Sequence, residues 1–229
     1  MFFVKLGAKF KSKATFSLTT MTKPPLDDDC QEFSVSSLNE RDTDVLNLIS
    51  RETLTRFTFD GLKRRLGLHS ETLSRILNRL EQEGIVEKGP GGYKVTSKID
   101  EYLGPASTIS TEQCVPLIQT LVPSNVPTEL LIQNLRGKWF GLLRWLGCTE
   151  GKDGMTLKWV TEDGGIQVDA SISENILIIE AKFLRDKDLN LAVKASYQLM
   201  AYIGKLCSGS QLVRNVTYLS NVGLDLMPA

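Results

Sequence analysis

Asp169 is followed eleven residues later by Glu180-Ala181-Lys182, in a stretch of alternating apolar and polar residues. Successive side chains of a strand point to opposite faces, so Glu180 and Lys182 share one face while Ala181 points away. In the preceding strand Ile166, Val168, Ala170 and Ile172 form an apolar face and leave Gln167, Asp169 and Ser171 opposite. A hairpin that closes with Ile172 opposite Leu177 has a loop of four residues, 173–176, a common length. That register places Asp169 across the ladder from Glu180, with Lys182 two residues on. Two adjacent carboxylates repel unless a cation lies between them. Hard oxygen ligands of this kind suit Mg²⁺ or Mn²⁺, which makes Asp169 and Glu180 the expected metal ligands. Such an ion acidifies a bound water and stabilises charge on a phosphate, while Lys182 positions or deprotonates that water.

A second group of residues suits nucleic acid. Residues 56–80 hold Arg56, Lys63, Arg64, Arg65, Arg75 and Arg79 against only Asp60 and Glu71. The surrounding pattern is helical. Asn39 can cap a helix over 40–52, with Val45, Leu46 and Ile49 inward, and Thr58 a second with Phe59, Leu62 and Leu66 inward. Gly67 ends the second helix. Ser70 is expected to cap a third, running to about Glu83, with Leu73, Ile76, Leu77 and Leu80 on its buried side. Gly84 stops it, and short strands at 85–88 and 93–96 flank Gly89-Pro90-Gly91-Gly92. Helix, helix, tight turn, helix and hairpin make a winged helix-turn-helix over residues 38–104. The third helix presents Glu71, Thr72, Ser74, Arg75, Asn78 and Arg79 outward, side-chain types that bond base edges and phosphates in a major groove. The expected contacts to double-stranded DNA are Arg64, Arg65, Ser70, Thr72, Ser74, Arg75, Asn78 and Arg79. Lys88 and Lys94, beside the glycine-rich tip, would reach the minor groove. His69 reads as a turn or phosphate-contact residue. The stretch 59–96 resembles the winged-helix domains of MarR/ArsR-like regulators and of many archaeal regulators.

The rest of the chain must position the acids. Residues 1–37 are expected to be a flexible tail and linker. Residues 1–20, with Lys5, Lys9, Lys11 and Lys13 and no acid, read either as that tail or as a stretch ahead of a true start at Met21. Residues 105–126, with Pro105, Pro116 and Pro123, read as a second linker holding a short strand near 115–122. A domain over 127–229 then follows: an apolar helix from Pro127 to about 146, strands at 155–162, 166–172 and 176–184, a helix at 189–206, and a strand near 212–219. The fold class is α+β, and the order is αβββαβ. That order, Asp169 and Glu180-Ala181-Lys182 together resemble the PD-(D/E)xK nuclease superfamily, with its restriction-endonuclease-like fold. Gln198-Leu-Met-Ala-Tyr202 resembles the QxxxY motif of its RecB-like branch, and a winged helix placed ahead is similar to the Mrr-type layout. The resemblance implies catalytic roles for Asp169, Glu180 and Lys182, support from Gln198 and Tyr202, and a first-helix acid, for which Glu129 is the candidate. The acid follows Val168 where the superfamily pattern has proline.

Composition sets the limits. The 229 residues are 41% hydrophobic and 24% charged, which allows a full core and excludes wholesale disorder. Lys plus Arg and Asp plus Glu number 27 each, so a nucleic-acid partner must be met by a local patch and not by a global field. No apolar run approaches the ~20 residues of a membrane span, so no membrane partner is expected. Four cysteines without a CxxC pair fit a reducing cytoplasm. One histidine excludes a multi-histidine zinc site, and no Walker or dinucleotide motif occurs. Trp139 and Trp145, read as helical, are expected in the core. Two functions remain: a DNA-binding, metal-dependent DNA endonuclease, or a winged-helix transcription regulator whose C-terminal domain is inert and serves dimerisation or ligand sensing. A homodimer on paired half-sites fits either. A protein-interaction adaptor is a third reading.

Overall fold

The computed structural model describes residues 39–103, 114–152, 154–185 and 187–207 and the backbone of 216–217. The expected tail and linker over 1–37 lie outside these residues. The first half runs α1 (Glu40–Arg51), β1 (Arg56–Phe57), α2 (Phe59–Leu66), α3 (Ser70–Gln82), β2 (Val86–Gly89), β3 (Gly92–Val95) and α4 (Ile99–Leu103). The expected helices and hairpin are present, and β1 and α4 are additions. Thr58 caps α2 by accepting from the Gly61 N–H, and Gly67 closes it in the left-handed region at φ 65°. The cap of α3 is His69 and not Ser70: the His69 ring accepts from the Glu71 N–H. A cap suffices to explain the chain's single histidine.

The second half runs β4 (Cys114–Leu121), α5 (Thr128–Leu135), β5 (Leu143–Gly151), β6 (Gly154–Thr161), β7 (Ile166–Ser173), β8 (Ile176–Phe183), α6 (Leu189–Cys207) and β9 (Val216–Thr217). The order is therefore βαββββαβ, which departs from the expected αβββαβ at two places. The strand suspected inside the linker is a full member of the sheet. The long helix expected to residue 146 stops at Leu135, because Gly137 adopts φ 75° and Phe140 and Leu143 exchange backbone hydrogen bonds in a tight reversal. The apolar residues after it form β5, an outcome that periodicity alone does not distinguish from a buried helix.

All described strands join one antiparallel sheet, in the order β2-β3-β1-β5-β6-β7-β8-β4-β9. The two-residue strand β1 joins the halves, pairing with β3 on one side and with β5 on the other. Its register fixes what shares a face. Tyr93, Phe57, Gly147, Lys158, Asp169 and Glu180 are successive cross-strand partners and stand in one row. On this face Phe57 packs into a core with Val45, Leu46, Leu62, Leu73, Ile76 and Leu77 of α1–α3. The opposite face buries Val168, Ala170 and Ile179 under Ala192, Ala195 and Leu199 of α6 and under Leu131 and Leu135 of α5. Each helical layer thus covers one face of a shared sheet, and the described residues fall in a single compact unit.

The junction tolerates no side chain at Gly147, where an added Cβ would come 2.2 Å from the Arg56 carbonyl oxygen. Gly147→Ala is expected to destabilise the fold by about 2 kcal/mol or more, read as a lowered urea midpoint. An unchanged midpoint would mean that β1 does not approach β5 this closely.

Candidate functional site

The hairpin closes as its sequence demands. Ile172 pairs with Leu177, Asp169 with Glu180 and Gln167 with Lys182. The cations that meet Asp169, however, come from the chain, and they link it to Glu52 and not to Glu180. Lys158 on β6 faces Asp169, and its Nζ donates to Asp169 Oδ2 at 2.9 Å and to Glu52 Oε2 at 3.2 Å. Lys182 Nζ donates to Glu52 Oε2 at 2.7 Å and lies 3.5 Å from Asp169 Oδ2. Gln167 Nε2 donates to Glu52 Oε2 and to Asp169 Oδ1, each at 2.9 Å. Arg65 closes the cluster, its Nε donating to Gln167 Oε1 at 2.9 Å and its Nη2 to Glu52 Oε1 at 3.4 Å. Every carboxylate oxygen of Glu52 and Asp169 therefore has a donor.

Glu52 is the residue that the strand pattern could not supply. It follows the last turn of α1, and its backbone N–H bonds the Leu48 carbonyl. Its own carbonyl accepts from Thr149 Oγ1 of β5 at 3.1 Å. The chain then reverses at Thr53, which is held at φ 48°, a strained conformation for a β-branched residue. That reversal aims Glu52 into the sheet, where its side chain is wholly buried. Burial alone would push its carboxyl up, but Lys158 and Lys182 outweigh it and hold the pKa at about 2. Burial would likewise depress Lys182, yet Asp169 and Glu52 raise it above the ordinary lysine value.

This arrangement does not fit a divalent ion. Both oxygens of Asp169 are engaged by Lys158 and Gln167, and the residue is 4% exposed. Glu180 is half-buried in the same row and makes no hydrogen bond or ion pair among the described residues. Lys182 is held charged against Glu52, which leaves it no lone pair with which to deprotonate water. Among the described residues no group of three or more His, Cys, Asp or Glu side chains is arranged to hold a metal. Gln198 and Tyr202 do not join the cluster, because α6 lies on the other side of the sheet. There Gln198 Oε1 accepts from the Leu142 N–H at 3.1 Å, and the Tyr202 ring packs on Phe140 at 4.7 Å. Glu129 is exposed at the start of α5, also on that side.

The residues expected to read DNA divide. Arg65 turns inward, as its position three after Leu62 on α2 dictates, and its side chain is only 7% exposed. Ser74, Arg75 and Asn78 are exposed on α3, while Ser70 and Thr72 are half-buried. Arg75 pairs with Glu71 one turn earlier on the same helix. Arg79 reaches α1, where its Nε donates to buried Asp42 at 3.1 Å. Arg64 lies with its guanidinium 5.8 Å from the ring of Trp139, which is 58% exposed and not in the core as expected. Trp145 and Trp159 are buried on β5 and β6. Lys88 and Lys94 are exposed on the hairpin. The three cysteines among the described residues, Cys114, Cys148 and Cys207, are free thiols. No family model, no curated protein and no solved structure matches the chain.

A carboxyl held near 2 against an ordinary value of 4.5 contributes stability that is complete above about pH 4.5 and is lost as the pH falls toward 2. Removing the charge leaves two buried ammonium groups to share the single carboxylate of Asp169. Glu52→Gln is expected to cost about 3–5 kcal/mol at pH 7. Urea unfolding at pH 7, 4 and 3 should show the gap between wild type and variant narrowing only in the acid range; a gap of under ~1 kcal/mol at pH 7 would contradict the pairing.

Proposed function

We propose that the chain is a winged-helix protein that binds double-stranded DNA through α3, and that its C-terminal domain is a platform without nuclease activity. The first part of this reading is carried by a notch of about 200 Å³ along α3, lined by Arg41, Arg75 and Arg79 with Asn39, Thr72 and Ile76 and no acid. Three guanidinium groups around a small polar recess suit a backbone phosphate, bonded by planar forks of N–H donors. Ser74 and Asn78 are exposed on the same helix, Asn78 one turn after Ser74, and are of the types that bond base edges. Arg41, at the start of α1, joins this surface. Arg65 leaves it. Arg75 would exchange its bond to Glu71 for one to phosphate, a small loss because that pair is solvent-exposed.

The second part rests on the state of the acids. Phosphodiester hydrolysis with divalent metal needs free carboxylate oxygens and an approach for phosphate. Asp169 and Lys182 are instead spent on Lys158, Gln167 and Glu52 beneath the helical layer. The cluster then works as a clamp that fixes α1 and α2 on the sheet and so sets the attitude of α3. Among the described residues no helix is long and apolar enough to cross a membrane.

Binding to random-sequence duplex DNA should weaken steeply with salt, because each phosphate neutralised releases counterion. Arg75→Ala with Arg41→Ala is expected to reduce affinity about tenfold or more at fixed salt and to flatten the salt slope, measured by fluorescence anisotropy. Plasmid incubated with Mg²⁺ or Mn²⁺ should remain supercoiled. Metal-dependent nicking abolished by Asp169→Asn would overturn the platform reading, and unaltered affinity in the double variant would move the DNA surface elsewhere.

A further inference from the structure

The sheet face turned away from α3 carries a second concentration of positive charge. Lys94, Arg56 and Cys148 are cross-strand partners on β3, β1 and β5, and so stand in one row. Above them lies a cleft of about 470 Å³, walled by the glycine-rich hairpin tip on one side and by Arg136 and Gly137 after α5 on the other. Its lining includes four cations, Arg56, Lys88, Lys94 and Arg136, against one acid, Glu87. Trp145 and Cys148 supply an apolar floor. The volume is that of a small-molecule site, in which a few polar groups orient an apolar body.

Arg136 gives the chemistry of the missing partner. Its Nη2 donates to Glu150 Oε1 at 2.9 Å, and Glu150 also lies 3.6 Å from Arg56 Nε. One carboxylate is thus shared between two arginines. The Nε–H of Arg136 is buried and has no acceptor among the described residues. A buried donor left without an acceptor costs ~1–3 kcal/mol, and an anion bonded there would recover it. We infer that this cleft binds a small organic anion, a carboxylate or phosphate joined to an apolar or aromatic body. The charged group lies between Arg136, Arg56 and Lys94, and the body lies on Trp145. Because Lys94 and the tip belong to the hairpin, the bound anion ties the hairpin to the segment after α5. The sheet separates this cleft from α3, so the ligand is not the DNA proposed to lie there.

The probes are 1-naphthoate and 1-naphthyl phosphate, which separate the two head groups, with 1-naphthol and inorganic phosphate as the body and the head alone. Binding is read by isothermal titration calorimetry and by tryptophan fluorescence on the full chain. At least one naphthyl anion should bind saturably, at least tenfold more tightly than either naphthol or inorganic phosphate. Arg136→Gln should weaken it fivefold or more, and Lys94→Gln, at an exposed position where folding is not at stake, should do the same. Equal binding of naphthol, no binding of either anion, or unchanged affinity in Lys94→Gln would overturn the proposal. Competitive displacement of the anion by duplex DNA would also overturn it, since the cleft would then belong to the nucleic-acid surface.

Discussion

One buried carboxylate holds the molecule in register with itself. Glu52 leaves the end of α1, crosses to the sheet and accepts hydrogen bonds from Lys158, Lys182, Gln167 and Arg65. These donors come from three strands and from α2, so the contact ties the helical layer to β6, β7 and β8 at a single point. Burying ions is costly, and such a cluster is weak as a source of net stability. Its effect is geometric. An apolar contact between the layers could slide, whereas an acid that must meet two ammonium groups has one satisfactory position. The strained Thr53 is the local consequence of turning the chain from α1 into the sheet beside Glu52.

The same constraint accounts for the site's chemistry. An acid facing an acid across a hairpin, with a lysine two residues on, is a metal-binding pattern when the face is open. In this chain the row continues through Gly147 to Phe57, so the acids stand beside the core of the helical layer and not in an open cleft. Lys158, shared between Asp169 and Glu52, takes up the Asp169 oxygen that a divalent ion would need. The charge that remains available to partners lies at two other places: the arginines along α3, and the cations on the opposite sheet face beside the hairpin.

Much of this was legible in the residues. The Asp169–Glu180 register follows from alternation and a four-residue loop, and the three helices of the first half follow from apolar spacing with Thr58 and Gly67 as stops. What could not be read was which faces meet. Glu52 sits at a helix end, more than a hundred residues from its partners on the sheet strands. Only Lys158, a charge at an inward position within an apolar strand, hinted that an acid had to come from elsewhere. Gln198 and Tyr202 have the right spacing on α6 but lie on the wrong side of the sheet, a distinction that spacing within one helix does not contain. The run after Leu135 was apolar enough for either helix or strand, and Gly137 decided it.

The clamp is tested most directly by a double-mutant cycle between Glu52→Gln and Lys158→Met, with stability measured by urea unfolding at pH 7. Direct pairing predicts a coupling energy in the upper part of the ~0.5–3 kcal/mol range seen for residues in contact, with the double variant more stable than the sum of the single losses. Additive losses would show that Glu52 and Lys158 do not meet, and the layers would then be held together by something other than this carboxylate.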